Sequence, residues 1–266
     1  MTVVLEVRDL QKTFGAVVAA KDINVSVKEH EIVGIIGANG AGKTTFVNMV
    51  TGYLKPTSGH INFAGKNIMG LPPREITKLG ISRSFQVPQV FASESVFENL
   101  LMAYAIAEET GLGVLSPLYN EERAARVDDH LTSYQISEYR NATASTLPQG
   151  IRKLLDIAMA AVSKPSILML DEPTSGISVE EKFNLMDIIM EALRKEKTTI
   201  LFIEHDMEIV ERYVSRVLAF YQGEIICDAP PDEALMDAGV REFVIGEEYH
   251  RTRTEALNGQ GDPDNA

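Results

Sequence analysis

The 266-residue sequence contains no tryptophan and only one cysteine. A single cysteine, Cys227, excludes an internal disulfide framework and a metal site built from several thiolates, so we assign it no role. No apolar run approaches the roughly 20 residues that a membrane-spanning helix needs, so we expect no such helix. The first residues lack a basic stretch followed by an uninterrupted apolar one, so a cytosolic location is expected.

An excess of positive charge is also missing. Lys and Arg number 25 against 38 Asp and Glu, which gives a net charge of -13. Binding of nucleic acid through its phosphates needs a clustered basic surface, so we expect no nucleic-acid partner. The hydrophobic fraction of 45% and the charged fraction of 24% are typical of a globular protein.

The sequence does contain an alternation of strand-like and helix-like segments. Residues 3–7 form a short β-like run, and residues 23–27 alternate apolar with polar side chains, which predicts half-exposed antiparallel sheet. Residues 32–36, 167–170 and 200–203 are apolar throughout, as buried parallel strands are. Helical spacing of apolar residues between the last two predicts a crossover helix. The predicted fold class is therefore α/β.

The domain organisation follows from changes in character along the chain. Residues 87–160 carry helical runs, with loop-like stretches near 110–117 and 140–146, and are interpreted as an inserted helical subdomain. Residues 247–266 are polar and nearly free of large apolar groups, which predicts a mobile tail. We therefore expect one domain over residues 1–246.

The strongest motif is Gly-x-x-x-x-Gly-Lys-Thr, which lies between a buried strand and a helix that begins near Lys43. Its glycines let the backbone curl so that successive N–H groups face phosphate oxygens. Lys43 then places a charge on the β and γ phosphates, and Thr44 offers a hydroxyl to Mg²⁺. The alternative is a purely structural turn. The predicted nucleotide-binding residues are Gly37, Asn39, Gly40, Ala41, Gly42, Lys43, Thr44 and Thr45.

Two carboxylates close a later apolar strand. Asp171 and Glu172 follow residues 167–170, at the strand edge where α/β folds bind ligands. Asp171 is suited to hold Mg²⁺, and Glu172 can orient or deprotonate the water that attacks the γ-phosphorus. An Asp-Glu pair in isolation is more often a helix cap or a solvated feature, and the upstream glycine-rich motif is what favours the catalytic interpretation.

A histidine ends the next strand. His205 can contact the γ-phosphate and help orient Glu172. The alternative is a polar cap on the following helix, a role that Asp206 could fill as well.

With these residues in place, the chain resembles the ATP-binding cassette (ABC) family from about Leu5 to Gly246. Phe14 looks like the aromatic residue that stacks on adenine. Gln86 matches the glutamine of the Q-loop, which senses the γ-phosphate and faces the membrane subunit. The resemblance implies catalytic roles for Glu172, His205, Gln86 and Lys43 and places Thr44, Gln86 and Asp171 at Mg²⁺.

Within that family the chain is most similar to the branched-chain amino acid importer ATPases. The motifs that carry the similarity include the runs at residues 40–45, 97–101 and 203–207. The resemblance implies a P-loop core with ATP and Mg²⁺ as cofactors, bound on the inner face of the cell membrane through permease subunits. It also implies a second ATPase subunit and a periplasmic or extracellular binding protein.

Two departures from the family pattern affect residues that act on the partner's nucleotide. The signature Leu-Ser-Gly-Gly-Gln is replaced by a stretch that begins Leu147, Pro148, Gln149, Gly150, and proline has neither the hydroxyl nor the N–H of serine. Ser178 stands where the D-loop normally ends in aspartate. The pattern favours a heterodimer with a different ATPase subunit over a homodimer that tolerates Pro148.

Three functions are compatible with these motifs. The first is the ATPase of an importer for a small solute such as branched-chain or other hydrophobic amino acids. An exporter or lipid-extraction ATPase would share every catalytic residue. A soluble ABC ATPase that acts on chromosomes or ribosomes is disfavoured, because such proteins usually carry coiled-coil inserts, two cassettes or a basic surface.

Overall fold

The computed structural model describes residues 2–108 and 117–246. Its strands are β1 (Val3–Phe14), β2 (Val17–Lys28), β3 (Ile32–Gly37), β4 (Ser58–Phe63), β5 (Lys66–Asn67), β6 (Ile81–Arg83), β7 (Ile167–Asp171), β8 (Thr199–Ile203), β9 (Arg216–Tyr221) and β10 (Glu224–Ala229). Its α-helices are α1 (Lys43–Val50), α2 (Pro73–Leu79), α3 (Val96–Ala107), α4 (Glu121–Ser133), α5 (Gln149–Ala161), α6 (Val179–Lys195), α7 (Met207–Tyr213), α8 (Pro231–Ala234) and α9 (Ala238–Val240), and a π-helical turn spans Arg241–Ile245.

The N-terminal strands form an antiparallel sheet in the order β2-β1-β4-β5. Leu5 pairs with Val27 and Val7 with Val25, and all four of these side chains are buried. The strand prediction is confirmed, although β1 and β2 are 12 residues long where the sequence pattern predicts five. The pairing register shifts repeatedly between Val7 and Thr13, so buried and exposed residues do not alternate regularly there, and hydrophobic periodicity gives no sign of the additional length.

The second sheet has the order β10-β9-β3-β8-β7-β6, with β10 antiparallel to β9 and the other neighbours parallel. Ile203 pairs with Asp171 on one side and with Ile35 on the other, so these strands reach the same edge in register. Helix α6 connects β7 to β8 and is the predicted crossover helix. The α/β fold class is confirmed.

Two apolar layers cover the faces of this parallel sheet. On one face α1 and the antiparallel sheet enclose side chains such as Ile35 and Leu201, and Phe46 packs its ring 5.6 Å from that of Phe220. On the other face α5, α6 and the helices before them bury Leu168 and Phe202. Burial on both faces explains why these strands read as unbroken apolar runs.

Helices α3, α4 and α5 occupy the segment predicted to be helical. Ser95 and Glu98 form a capping box that starts α3, which stabilises its first turn by about 1 kcal/mol. Residues 140–146, predicted as a loop, include the single turn of 3₁₀ helix at Ala144–Thr146. Most of the loop predicted at 110–117 and the whole tail predicted at 247–266 lie outside the described residues. Within residues 2–108 and 117–246, no helix is long and apolar enough to cross a membrane.

Candidate active site

The glycine-rich loop runs from the end of β3 into α1, as predicted. Gly42 has φ 105°, and a Cβ atom there would lie 2.7 Å from the carbonyl oxygen of Ala19, so both conformation and space require glycine. The Lys43 ammonium donates to the carbonyl oxygens of Gly37 at 2.6 Å and Ala38 at 3.1 Å. Asn39 and Gly40 are exposed and Ala41 is buried, so the loop presents its outer backbone to solvent.

Electrostatics inside the loop favour an anionic ligand. Lys43 is buried, and this burial lowers the pKa of its ammonium, while the charges of Glu172 and Asp171 act in the opposite direction. Thr44 is exposed in the first turn of α1, where unpaired N–H groups and the helix dipole attract negative charge. Thr45 follows it and is half-buried. The loop therefore has the donors that a polyphosphate needs.

Two side chains that are predicted to be catalytic, those of Gln86 and His205, contact the carboxylate of Glu172. The Gln86 amide nitrogen donates to Oε2 at 2.7 Å, and His205 Nε2 lies 3.2 Å from Oε1. The helix-cap alternative for His205 is not observed, because Asp206 caps α7 by accepting the N–H of Glu208 at 3.0 Å. A carboxylate held from two sides in this way can orient a water molecule.

Glu172 has an unusual backbone conformation. Its φ of 49° lies in the left-handed region, which costs a residue with a side chain about 1 kcal/mol or more. Its N–H donates to Ile203 O at 3.0 Å, and its carbonyl accepts the Ser175 N–H at 3.1 Å and the Lys153 ammonium at 2.6 Å. Strain of this kind, compensated by surrounding contacts, is typical of catalytic positions.

The other carboxylate, Asp171, forms a buried ion pair with Arg83. Arg83 ends β6, and its second terminal nitrogen donates to the side-chain oxygen of Asn48 on α1. The helix-cap or solvated alternative for Asp171 is therefore wrong, because its side chain is 9% exposed and paired. The pair connects the edge of the sheet to the helix that follows the glycine-rich loop.

Hard oxygen donors at this edge fit a magnesium ion. The candidate donors are the Thr44 hydroxyl, the Asp171 carboxylate and the amide oxygen of Gln86, whose nitrogen is used by Glu172. Mg²⁺ is typically held by one or two such protein ligands together with substrate phosphates. The donor chemistry agrees with that pattern.

The phosphate-binding loop, the strand-end carboxylates and the histidine on the adjacent strand together describe a nucleoside triphosphatase site. A sequence family described as ABC transporter matches residues 20–175, more than half of the chain. The chain belongs to the ABC transporter family. It is an ATP-binding cassette subunit, and the general function of that family is ATPase activity coupled to transport.

Two similar proteins are both described as branched-chain amino acid transport ATP-binding proteins. The high-affinity branched-chain amino acid transport ATP-binding protein LivG of Salmonella typhimurium is 36% identical, over 91% of this chain and 98% of that protein. The corresponding protein BraF of Pseudomonas aeruginosa is 34% identical, over 92% and 98%. Both alignments extend well beyond the motifs.

The fold is shared with solved ABC structures. A nucleotide-free ATP-binding cassette from an ABC transporter superposes with a TM-score of 0.79 and 29% identity, covering 90% of this chain and 97% of the other. The ADP conformation of an ATP-binding cassette superposes with a TM-score of 0.78, again at 29% identity, covering the same shares of the two chains. Nucleotide binding is therefore a property of the matching fold.

The residues predicted to form the signature lie beside the predicted D-loop of the same chain. Pro148 is the N-cap of α5 and provides no side-chain hydrogen bond there. Gln149 donates its amide to Ser175 O at 3.3 Å, next to Gly176, where a Cβ atom would collide with the Gln149 amide nitrogen. Leu147 is buried and Gly150 half-buried. The two segments with unusual residues thus contact each other.

Phe14, predicted to stack on adenine, is placed at the end of β1 near the turn into β2. Its ring is 51% exposed, and the Lys12 ammonium lies 4.9 Å from the ring centre. An exposed aromatic ring at a hairpin tip can receive a base. None of the described contacts joins it to the glycine-rich loop, so its role stays a prediction.

Sequence reasoning did not single out three charged residues that support this ABC site. Arg83 pairs with Asp171, Lys153 binds the carbonyl of Glu172, and Glu204 accepts the N–H and hydroxyl of Thr174 at 3.0 and 2.7 Å. Burial raises the pKa of the Glu204 carboxyl. The position of Arg83, a cation at a strand end just before Gln86, could have identified it from the sequence. The other two read as ordinary polar residues.

Replacing Gly42 by alanine should lower ATP affinity by about 10- to 100-fold, because backbone strain of about 1–3 kcal/mol opposes closure of the loop around phosphate. The matched control is Gly40→Ala. Gly40 also has a positive φ, 81°, but a Cβ atom there meets nothing within 4 Å, so its loss should be below about tenfold. Titration of a fluorescent ATP analogue measures both variants. Equal affinities would contradict this account of the loop.

Proposed function

We propose that this chain binds Mg²⁺ and ATP at the glycine-rich loop, hydrolyses the ATP, and powers import of branched-chain or other hydrophobic amino acids. The observation that carries the substrate class is its similarity to LivG and BraF over more than nine-tenths of its length. The observation that carries the reaction is the placement of Glu172 between Gln86 and His205. We place the chain on the cytoplasmic side of the membrane, bound through permease subunits.

Hydrolysis needs the γ-phosphate, a water molecule and a base at one point. Lys43 would move its ammonium from the loop carbonyls to phosphate oxygens, and Thr44, Asp171 and Gln86 would hold Mg²⁺, which neutralises developing phosphate charge. Glu172 would orient or deprotonate the water while His205 fixes the carboxylate and contacts the γ-phosphate. The two hydrogen bonds at Glu172 support this assignment.

A second cassette would complete the site. In this proposal the partner's signature covers ATP bound at this chain's loop, and the chain's own signature, with Pro148, serves the partner's ATP. Ser178 accepts the Glu181 N–H at 3.3 Å and so keeps the helix-capping function of an aspartate while lacking its charge. The unusual residues all lie on the half that acts on the other subunit, which supports a heterodimer.

The permease would bind in a cleft beside the Q-loop. This cleft has a volume of about 840 Å³ and includes Tyr53, Phe85 and Ile106 in its lining. Tyr53 and Ile106 are exposed, and the Tyr53 and Phe85 rings meet edge to face at 5.7 Å. Because Phe85 precedes Gln86, a helix seated here would respond to movement of the nucleotide-sensing segment.

The test is ATP-driven uptake of radiolabelled leucine, isoleucine and valine by the complete transporter in vesicles, with its binding protein supplied. We expect uptake with the wild-type chain. The Ile106→Asp variant should lose both uptake and co-purification with the permease. The control is Met236→Asp, because Met236 is as exposed, at 62% against 63%, but is not among the residues that line the cleft. ATP-dependent efflux or lipid extraction without uptake would contradict import, and ATPase activity with no permease would favour the soluble class.

A further inference from the structure

Lys153 is a buried cation that none of the catalytic steps above uses. It lies on α5 three residues after the signature glycine Gly150, and it is 3% exposed. Its ammonium donates to the backbone carbonyl of Glu172 at 2.6 Å. Burying an ammonium group is costly unless it is paired, so a lysine in this place indicates a specific purpose.

Carboxylates around Lys153 offset part of that cost. Burial lowers the pKa of its ammonium, and the carboxylates of Glu204, Glu172, Asp156 and Asp171 act against this effect. The ammonium therefore lies in a negative environment, yet its hydrogen bond goes to a backbone oxygen. That oxygen belongs to the residue whose left-handed backbone carries the catalytic carboxylate.

The same helix has a second polar anchor one turn later. Asp156 accepts the N–H of Gln89 at 2.7 Å and of Phe85 at 3.2 Å, so it binds the Q-loop on both sides of Gln86. Helix α5 thus holds both segments whose side chains meet at Glu172. Its first turn begins at the signature, the part of the chain assigned to the partner's nucleotide.

We propose that Lys153 is a positioning residue that sets the backbone of Glu172 and relays the state of this chain's signature to its own catalytic carboxylate. When the partner's nucleotide engages the residues at the start of α5, the helix and Lys153 shift together, and the carbonyl of Glu172 shifts with them. The two sites of the dimer are then coupled through one hydrogen bond. This inference rests on the proposed roles of Glu172 and of the signature.

The test is Lys153→Met in the purified transporter complex. We expect kcat for ATP hydrolysis to fall by about 10- to 100-fold, because a small displacement of a catalytic group costs that much, with KM for ATP changed by less than about twofold. Lys153→Arg should recover most of kcat, since a guanidinium can donate to the same carbonyl. Amide hydrogen exchange across residues 172–177 should be faster in Lys153→Met, because the Ser175 N–H donates to the same carbonyl.

Arg123→Met is the matched control. Arg123 is a buried cation on α4 that pairs with Glu108 at 2.9 Å, so its loss tests destabilisation of the helical segment alone, and kcat should remain within about twofold of wild type. Should Lys153→Met not fold, Lys153→Gln keeps a shorter donor and should show the same loss of kcat to a smaller degree.

The inference is overturned if Lys153→Met retains kcat within twofold, if its loss appears in KM instead, or if Arg123→Met loses as much. A wild-type complex that does not hydrolyse ATP would contradict the proposed function itself. Normal wild-type turnover with an unaffected Lys153→Met would contradict only the relay.

Discussion

Replacing Glu172 by glutamine should lower ATP turnover by about 10²- to 10⁴-fold, the range that a positioned acid or base contributes. ATP binding should stay within about threefold of wild type, because Lys43 and the backbone of the loop make the phosphate contacts. Glutamine keeps the size of the side chain, and its one amide oxygen can still accept the hydrogen bond that Gln86 Nε2 donates to Glu172 at 2.7 Å in the wild type. What it loses is the charge that orients and deprotonates water.

Phosphate release and nucleotide binding must be measured separately for this variant. Since the chain has no tryptophan, a fluorescent ATP analogue is needed to follow binding. Glu208→Gln is the control. It removes a carboxylate at the same edge of the sheet, but that carboxylate pairs with Lys182 at 3.0 Å and not with the predicted catalytic residues. Undiminished phosphate release from Glu172→Gln would contradict the assignment of Glu172.

Strand ends and loop chemistry were predictable from the sequence. The parallel strands are buried on both faces, so their apolar runs end where the sheet ends. The sequence alone therefore predicts that Asp171, Glu172 and His205 lie close together. The glycine-rich loop was predictable for a similar reason, because its conformation restricts residue type at each position.

The partners of buried charges were not predictable. Arg83 and Asp171 are 88 residues apart in sequence, and their contact depends on β6 pairing with β7 at the edge of the sheet. Lys153 and Asp156 are opposite charges three residues apart on a helix, a spacing that normally indicates a solvated surface pair. In the structure both are buried and bind backbone groups of other segments instead.

Strand lengths show the same limit. The outer halves of β1 and β2 are paired along a hairpin whose register shifts between Val7 and Thr13, so their buried and exposed residues do not alternate regularly. Main-chain hydrogen bonds between strands do not require particular side chains, so they cannot be recognised from residue type. Hydrophobic periodicity therefore reports only the part of a strand that reaches the core.

Changing Pro148 to serine should raise the ATPase rate of the full chain purified alone by about 10- to 100-fold. Alone, it can pair only with itself, so each nucleotide is covered by a signature without the serine hydroxyl. A charge-assisted hydrogen bond to γ-phosphate contributes about 1.5–3 kcal/mol, which corresponds to that range if it acts in the transition state. The wild-type chain alone should accordingly hydrolyse ATP slowly although it binds it.

A competing explanation for such a gain is stabilisation of α5. Pro148 is the N-cap of that helix without a side-chain hydrogen bond, and serine at an N-cap stabilises a helix by about 1 kcal/mol. Pro148→Ala separates the two effects, because it restores the backbone N–H but offers neither hydroxyl nor cap. Pro148→Thr offers both a hydroxyl and a cap. We expect the rate to follow the hydroxyl, with serine and threonine above alanine, and the gain to appear in kcat while thermal unfolding shifts only slightly. An alanine variant as fast as serine would contradict the hydroxyl as the cause of the gain. A wild-type chain that alone already turns over at the serine rate would show that the signature tolerates Pro148 and would favour a homodimer.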